Sequence, residues 1–189
     1  MKQNDLTKMT YTSMFVAMAF VFGLITKFVP GLNLEMPQGG SVFGFPMVPL
    51  IFLGMLLGPR YGVLGGAVYG LTSIMLDGGV YHWVSFFSDY VIAFGVLGLT
   101  GLFKDALHHY GTFILAIVFV AFLRYLSHAF FGSIIFAEFA PEGVNPWFYS
   151  FVLYNAPYML TSTSVTVVVG LLLRKRILRI AEDSGLVSV

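Results

Sequence analysis

Four polar residues lie inside otherwise apolar stretches of the chain, namely Asp89, Arg124, His128 and Asn155. An ionisable side chain at the depth of a bilayer is costly and normally faces a protein interior or a water-filled cavity. Arg124 and His128 are four residues apart, which places them on one face of a helix. These residues predict either an Asp89–Arg124 ion pair that joins two helices or a ligand pocket.

Aromatic residues accompany this polar group in the sequence: Tyr81, Tyr90, Trp147, Tyr149 and Tyr154. A carboxylate accepts hydrogen bonds from N–H groups, and aromatic ring faces attract positive charge. Together they favour a flat, cationic, nitrogen-bearing ligand. For Trp147 the alternative is the aromatic belt at a membrane interface.

Motifs of enzyme chemistry are absent from the sequence. The chain has no cysteine, no HExxH, no Gly-rich loop ending in Lys-Ser/Thr and no Gly-x-Ser-x-Gly elbow. His128 and Ser133 are spaced poorly for a serine–histidine pair, so a small membrane hydrolase is a minor alternative. We predict no catalytic residue, no metal site and no cofactor.

The composition identifies the elements that must position these residues. Of the 189 residues 58% are apolar and 10% are charged, against about 45–50% and about 25% in ordinary soluble domains. This excludes a soluble or disordered chain and predicts an all-α membrane protein with a single domain, 1–189. Its six transmembrane helices are expected at about 10–29, 45–58, 61–76, 82–103, 111–136 and 147–173.

Two alternatives remain for these spans. The second and third runs are short, so one re-entrant hairpin is an alternative. A signal peptide is an alternative for the first run, although no A-x-A-like site follows it.

Basic residues indicate the orientation of these helices. One side collects all but one of the loop and terminal Lys and Arg residues: Lys2, Lys8, Arg60, Lys104, Arg174, Lys175, Arg176 and Arg179. The other side has Lys27 and the acidic residues Glu35, Asp77, Glu138 and Glu142. Both termini are therefore predicted to be cytoplasmic. Asp89, His128 and Asn155 then each lie roughly 12 Å below the outer surface, at about 1.5 Å per residue. They predict a pocket open to the outside.

Small residues at four-residue spacing mark two helix faces. Gly62, Gly66 and Gly70 share one face of the third run, where internal packing of the helices is the favoured interpretation. Ser13 and Ala17 form a similar pair on the first run. That pair faces either the helical body or a partner protein in the membrane.

Four stretches carry a resemblance to a known family: MPQGGSVFGFPMVPL at 36–50, SDYVIAFGVLGLTGLF at 88–103, RYLSHAFFG at 124–132 and WFYSFVLYN at 147–155. The chain resembles the thiamine-specific substrate-binding (S) components of energy-coupling factor (ECF) transporters. The resemblance implies a non-enzymatic, multi-pass protein of the prokaryotic plasma membrane that binds thiamine from outside. It also implies docking on a transmembrane coupling subunit that carries two ATPase subunits.

The resemblance further implies roles for individual residues. The ligand-binding positions of the family match Asp89, Tyr90, His128, Tyr149 and Asn155. The family often has an aromatic lid residue in the first outer loop; here that loop reads MPQGGS, and Gln38, Gly39 and Gly40 are the candidates for the lid backbone. Phe136 stands where some members have tryptophan. Ser13 and Ala17 match the family's docking motif on helix one. With Tyr81 and Trp147 from the aromatic group, these are the candidate site residues.

Two alternatives remain for the function. One is the same architecture with another small vitamin or precursor, such as a hydroxymethylpyrimidine. The other is an ion- or proton-coupled secondary carrier that uses Asp89, Arg124 and His128 as a relay.

Overall fold

The computed structural model describes residues 5–186, and within them the regular secondary structure is helical apart from one isolated antiparallel bridge between Glu35 and Ser41. Lys2, counted above for orientation, lies outside the described residues. We number the long helices α1 (Asp5–Phe28), α2 (Met47–Leu57), α3 (Pro59–Asp77), α4 (Trp83–Leu102), α5 (Tyr110–Ile135) and α6 (Pro146–Asp183).

Four of these helices, α1, α4, α5 and α6, are long and apolar enough to cross a membrane. Helix α2 is shorter, and its apolar residues from Val48 to Leu53 are almost completely buried. A helix that is apolar on all sides belongs in the interior, so α2 forms the centre of the core. Helix α6 continues past the predicted span end at residue 173, through the charged segment RKRILRIAED, to Asp183. The count of six spans and the orientation stay predictions.

The glycine face of α3 packs inside the protein. A Cβ atom on Gly62 would lie 2.7 Å from the Cα atoms of both Gly54 and Gly98. A Cβ on Gly66 or Gly70 would overlap backbone atoms of α4. These glycines therefore allow α3 to approach α4 at backbone distance, which confirms the prediction of internal packing.

Two helices contain π-helical segments, at Phe86–Ile92 in α4 and at Tyr149–Asn155 in α6. In α6 the segment precedes Pro157, which has no N–H and whose ring crowds the carbonyl four residues back. Side chains of α5 donate hydrogen bonds to backbone carbonyls in both segments. Ser127 Oγ donates to the Ser88 carbonyl at 2.8 Å, and the Tyr125 hydroxyl donates to the Phe151 carbonyl at 2.9 Å. π-helical turns are frequent at functional sites.

Helix α1 has a buried face and an exposed face. Thr12, Phe15 and Ala19 are buried against the body, whereas Ser13 and Ala17 are exposed. The Ser13 hydroxyl bonds only within its own helix, to the Met9 carbonyl at 3.1 Å. The Ser13/Ala17 pair therefore takes no part in packing among the described residues.

Candidate functional site

A cavity of about 610 Å³ lies at one end of the helical bundle. The carboxyl ends of α1 and α3, the amino-terminal parts of α4 and α6, the second half of α5 and the loop 29–46 enclose it. Ligand pockets of small molecules have about 300–1,000 Å³, so the cavity is of the size that a small organic ligand needs.

Asp89 and His128 are in direct contact in this cavity. His128 Nδ1 lies 2.9 Å from Asp89 Oδ1, and the two side chains are only 12% and 19% exposed. The π-helical segment of α4 carries Asp89, while α5 supplies His128. Among residues 5–186 no donor reaches the second carboxylate oxygen, Oδ2. That oxygen is available to a ligand.

Arg124 does not form the ion pair with Asp89 that the sequence left open. Its Nε donates instead to His128 Nε2 at 3.3 Å, and its guanidinium carbon lies 4.1 Å from the centre of the Phe94 ring. No carboxylate of the described chain approaches it within 4 Å. The physical reason is the four-residue spacing, which places the imidazole of His128 between Arg124 and Asp89.

Asn155 is buried, with most of its hydrogen bonds already made inside the protein. Its Nδ2 donates to the carbonyl and the hydroxyl of Ser150, at 2.9 and 3.1 Å. Its Oδ1 accepts from the Tyr158 hydroxyl at 2.9 Å. A side-chain amide has two donors and two acceptor positions, so Asn155 retains only one acceptor position for a ligand.

The loop 29–46 covers the cavity and is held by α6. The Tyr154 hydroxyl accepts from the Gln38 N–H at 3.0 Å and donates to the Gly39 carbonyl at 2.9 Å. Further along α6, Ser162 Oγ donates to the Ser41 carbonyl at 2.8 Å. The loop is therefore attached to the helix that carries the second π-helical segment.

The entrance of the cavity carries a second group of charges. Lys27 Nζ lies 3.0 Å from Glu35 Oε1 and 3.9 Å from Asp77 Oδ1, so one cation faces two carboxylates. Nearby, the Tyr81 hydroxyl donates to the Glu138 carboxylate, and this hydrogen bond raises the pKa of Tyr81. Within residues 5–186 no group of three or more His, Asp or Glu side chains is arranged to hold a metal ion.

The structure brings together all the predicted ligand-binding residues except one. Those that line the cavity are Gln38, Gly39, Tyr81, Asp89, Tyr90, His128, Tyr149 and Asn155. Gly40 and Phe136 line it as well. Trp147 does not: its ring is half exposed and packs against Phe130 and Phe151, because it lies at the start of α6 on the side turned away from the cavity.

Sequence reasoning missed several lining residues, above all Tyr158, Ser150 and Tyr69. Tyr158 is 4% exposed, and its ring lies 6.2 Å from the rings of both His128 and Tyr154. The four-residue spacing of Tyr154 and Tyr158 was the available signal, because it places both rings on one helix face.

Comparisons with known proteins agree with this fold. A solved structure of ThiT from Listeria monocytogenes has a TM-score of 0.75 and 18% sequence identity to this chain, covering 92% of it and 96% of the ThiT chain. The thiamine transporter ThiT of Bacillus subtilis (strain 168) is 33% identical over 170 residues, which is 84% of this chain and 87% of the relative. The thiamine transporter ThiT of Lacticaseibacillus paracasei is 27% identical over 143 residues, 68% of this chain and 71% of that protein.

The family model for the thiamine transporter protein matches residues 9–182, nearly the whole chain. The two curated relatives bear the names of transporters and not of enzymes. Together with the apolar helices, these matches identify a membrane protein. The chain therefore belongs to the thiamine transporter protein family (Thia_YuaJ).

Proposed function

We propose that this chain is the thiamine-binding S component of an ATP-driven ECF importer in the prokaryotic plasma membrane. In this proposal it has no ATPase activity of its own, and both termini are cytoplasmic. The cavity opens to the outside, and a transmembrane coupling subunit with two ATPase subunits drives release of the ligand. The observation that carries the proposal is the free carboxylate oxygen of Asp89 inside a cavity of suitable size.

The deep end of the cavity matches an aminopyrimidine ring. Asp89 offers an acceptor at Oδ2, and the terminal nitrogens of Arg124 have no acceptor among the described residues. An aminopyrimidine edge presents an N–H donor beside a ring nitrogen that accepts, which is the complementary pattern. Both nitrogens of His128 already have partners. His128 therefore acts through its contacts with Asp89 and Arg124.

The charge at the entrance and the tyrosines that line the cavity suit a ligand with a cationic ring. Lys27 neutralises only one of the two carboxylates of Glu35 and Asp77, so the entrance keeps a net negative charge that attracts a cation. Tyr90 and Tyr149 line the cavity and offer ring faces for a thiazolium.

Calorimetric titration of the purified protein in detergent tests the proposal. We expect thiamine to bind at micromolar or lower concentration, and hydroxymethylpyrimidine, which lacks the cationic ring, to bind more weakly. Absence of heat with thiamine would overturn the assignment. Tighter binding of the pyrimidine alone would favour the precursor alternative, and proton-coupled uptake without an ATPase partner would favour the secondary carrier.

The Tyr154→Phe variant tests the attachment of the loop. It removes both hydrogen bonds to Gln38 and Gly39 and leaves the ring in place. Each such bond contributes about 0.5–1.5 kcal/mol. We expect thiamine to dissociate roughly 5- to 100-fold faster in stopped-flow measurements, with a smaller change in the association rate. Tyr11→Phe, whose hydroxyl lies outside the cavity, is the control. An unchanged dissociation rate in Tyr154→Phe would show that the loop does not retain the ligand.

The Ala17→Leu variant tests the docking role proposed for the exposed Ser13/Ala17 pair. A larger side chain at a close helix contact typically costs 1–3 kcal/mol. We expect thiamine affinity to stay unchanged while recovery of the co-expressed coupling subunit falls about tenfold. Val168→Leu, at an exposed position of α6, is the matched control. Full recovery of the complex with Ala17→Leu would place the docking face elsewhere.

A further inference from the structure

The imidazole of His128 lies between a carboxylate and a guanidinium. Nδ1 is 2.9 Å from Asp89 Oδ1 and Nε2 is 3.3 Å from Arg124 Nε. From α6, Tyr158 faces the imidazole at 6.2 Å between ring centres. These are the titratable or charged groups with contacts to this imidazole among the described residues.

A guanidinium is a donor only, because every nitrogen carries hydrogen and the group does not lose its charge in proteins. The contact between Arg124 Nε–H and His128 Nε2 therefore requires a bare ring nitrogen with its lone pair toward Arg124. A doubly protonated imidazole would place its own N–H against the N–H of Arg124. The contact is compatible only with a neutral His128.

A neutral imidazole carries one proton, and here that proton must be on Nδ1. Nδ1–H then donates to Asp89 Oδ1. The Asp89–His128 contact is thus a hydrogen bond from a neutral ring to a carboxylate and not an ion pair. The negative charge of Asp89 is left for a cationic or N–H-bearing ligand at Oδ2.

We propose that Arg124 is a positioning residue that holds His128 as the neutral Nδ1–H tautomer and thereby preserves the charge of Asp89 for the ligand. The tautomer itself follows from the contacts, and only its consequence for the ligand rests on the proposed function. Arg124 does this through His128 and needs no contact with the ligand for it.

Nitrogen NMR of the histidine rings tests the tautomer without any ligand. The chain has four histidines, and loss of one signal in His128→Gln assigns His128. We expect one protonated and one bare ring nitrogen for His128 in the parent protein. In Arg124→Gln, whose amide can accept as well as donate, we expect this fixed tautomer to be lost, whereas Arg124→Lys, which keeps a donor-only cation, should keep the parent signal. A doubly protonated His128 in the parent, or parent-like signals in Arg124→Gln, would overturn the proposal.

Thiamine affinity of the same variants tests the consequence. Without the donor-only Arg124 the imidazole no longer has to keep its single proton on Nδ1, so Asp89 is no longer held with its charge free for the ligand and Arg124→Gln should lose affinity about tenfold. Arg124→Lys should recover most of this affinity, and the exposed control Arg179→Gln should bind as the parent does. Parent-like affinity in Arg124→Gln contradicts the proposal. If Arg124→Gln does not fold, the tautomer in the parent and in Arg124→Lys decides. If no variant binds thiamine, the proposed function fails while the NMR result still stands.

Discussion

Thiamine affinity should fall about 10- to 100-fold when Asp89 is replaced by asparagine. A hydrogen bond to a charged group contributes about 1.5–3 kcal/mol, and each 1.4 kcal/mol corresponds to a factor of ten. Asparagine can still accept from His128 Nδ1 through its Oδ1. Its amide then presents N–H donors at the place of the free carboxylate oxygen, against the N–H groups of the ligand. The variant also leaves the cationic Arg124 without a nearby negative charge.

Calorimetry with thiamine measures this loss, and thermal unfolding of the same samples shows whether the fold is retained. Asp89→Glu keeps the charge but displaces it by one methylene, so we expect its affinity between those of the parent and Asp89→Asn. Glu142→Gln removes an exposed carboxylate from the segment between α5 and α6 and should bind normally. Parent-like affinity in a folded Asp89→Asn variant would contradict the role of the Asp89 charge.

The sequence was sufficient to predict the all-helical membrane class and the meeting of Asp89, His128 and Asn155 at one cavity. Apolar helices need almost no charge, so the few polar residues inside them are conspicuous. Their distance from the helix ends then estimates their depth, because the rise per residue is nearly constant. The glycine face of α3 was predictable for the same reason, since its four-residue spacing follows the helical period.

The partners of these polar residues were not predictable from the sequence. A π-helical segment has more residues per turn, so the 3.6-residue period no longer gives the directions of side chains across it. Tyr149–Asn155 is such a segment, which is why Trp147 could not be oriented relative to Asn155. Arg124 had two candidate partners, and only coordinates show that His128 lies between it and Asp89.

The attachment of the loop 29–46 was also beyond sequence reasoning. Tyr154 bonds to Gln38 and Gly39 across more than a hundred residues of chain. No local pattern encodes a pairing at that separation. The resemblance supplied the lid residues, but it did not supply the hydroxyl that holds them.

The second large effect is expected from a substitution at Gly66, where α3 contacts α4. A Cβ on Gly66 would overlap the carbonyl oxygen of Phe94 and lie 3.0 Å from the Cα of Gly95. Both are backbone atoms of α4, so no side-chain rotation relieves the overlap. Helix α4 also carries Asp89, and the Phe94 ring lies against Arg124. Steric strain at Gly66 is therefore transmitted to the candidate site.

Gly66→Ala should accordingly destabilise the protein by about 3 kcal/mol and lower its melting temperature by roughly 5–10 °C. The folded fraction should also bind thiamine more weakly, because α4 must move away from α3 and take Asp89 with it. Fluorescence-detected unfolding and calorimetry on the same preparation measure both effects. Gly111→Ala is the matched control, since it lies in the first turn of α5 with nothing within 4 Å of the added carbon. A Gly66→Ala variant as stable as Gly111→Ala would mean that α3 and α4 do not approach at backbone distance, and the placement of Asp89 against His128 would lose its structural support.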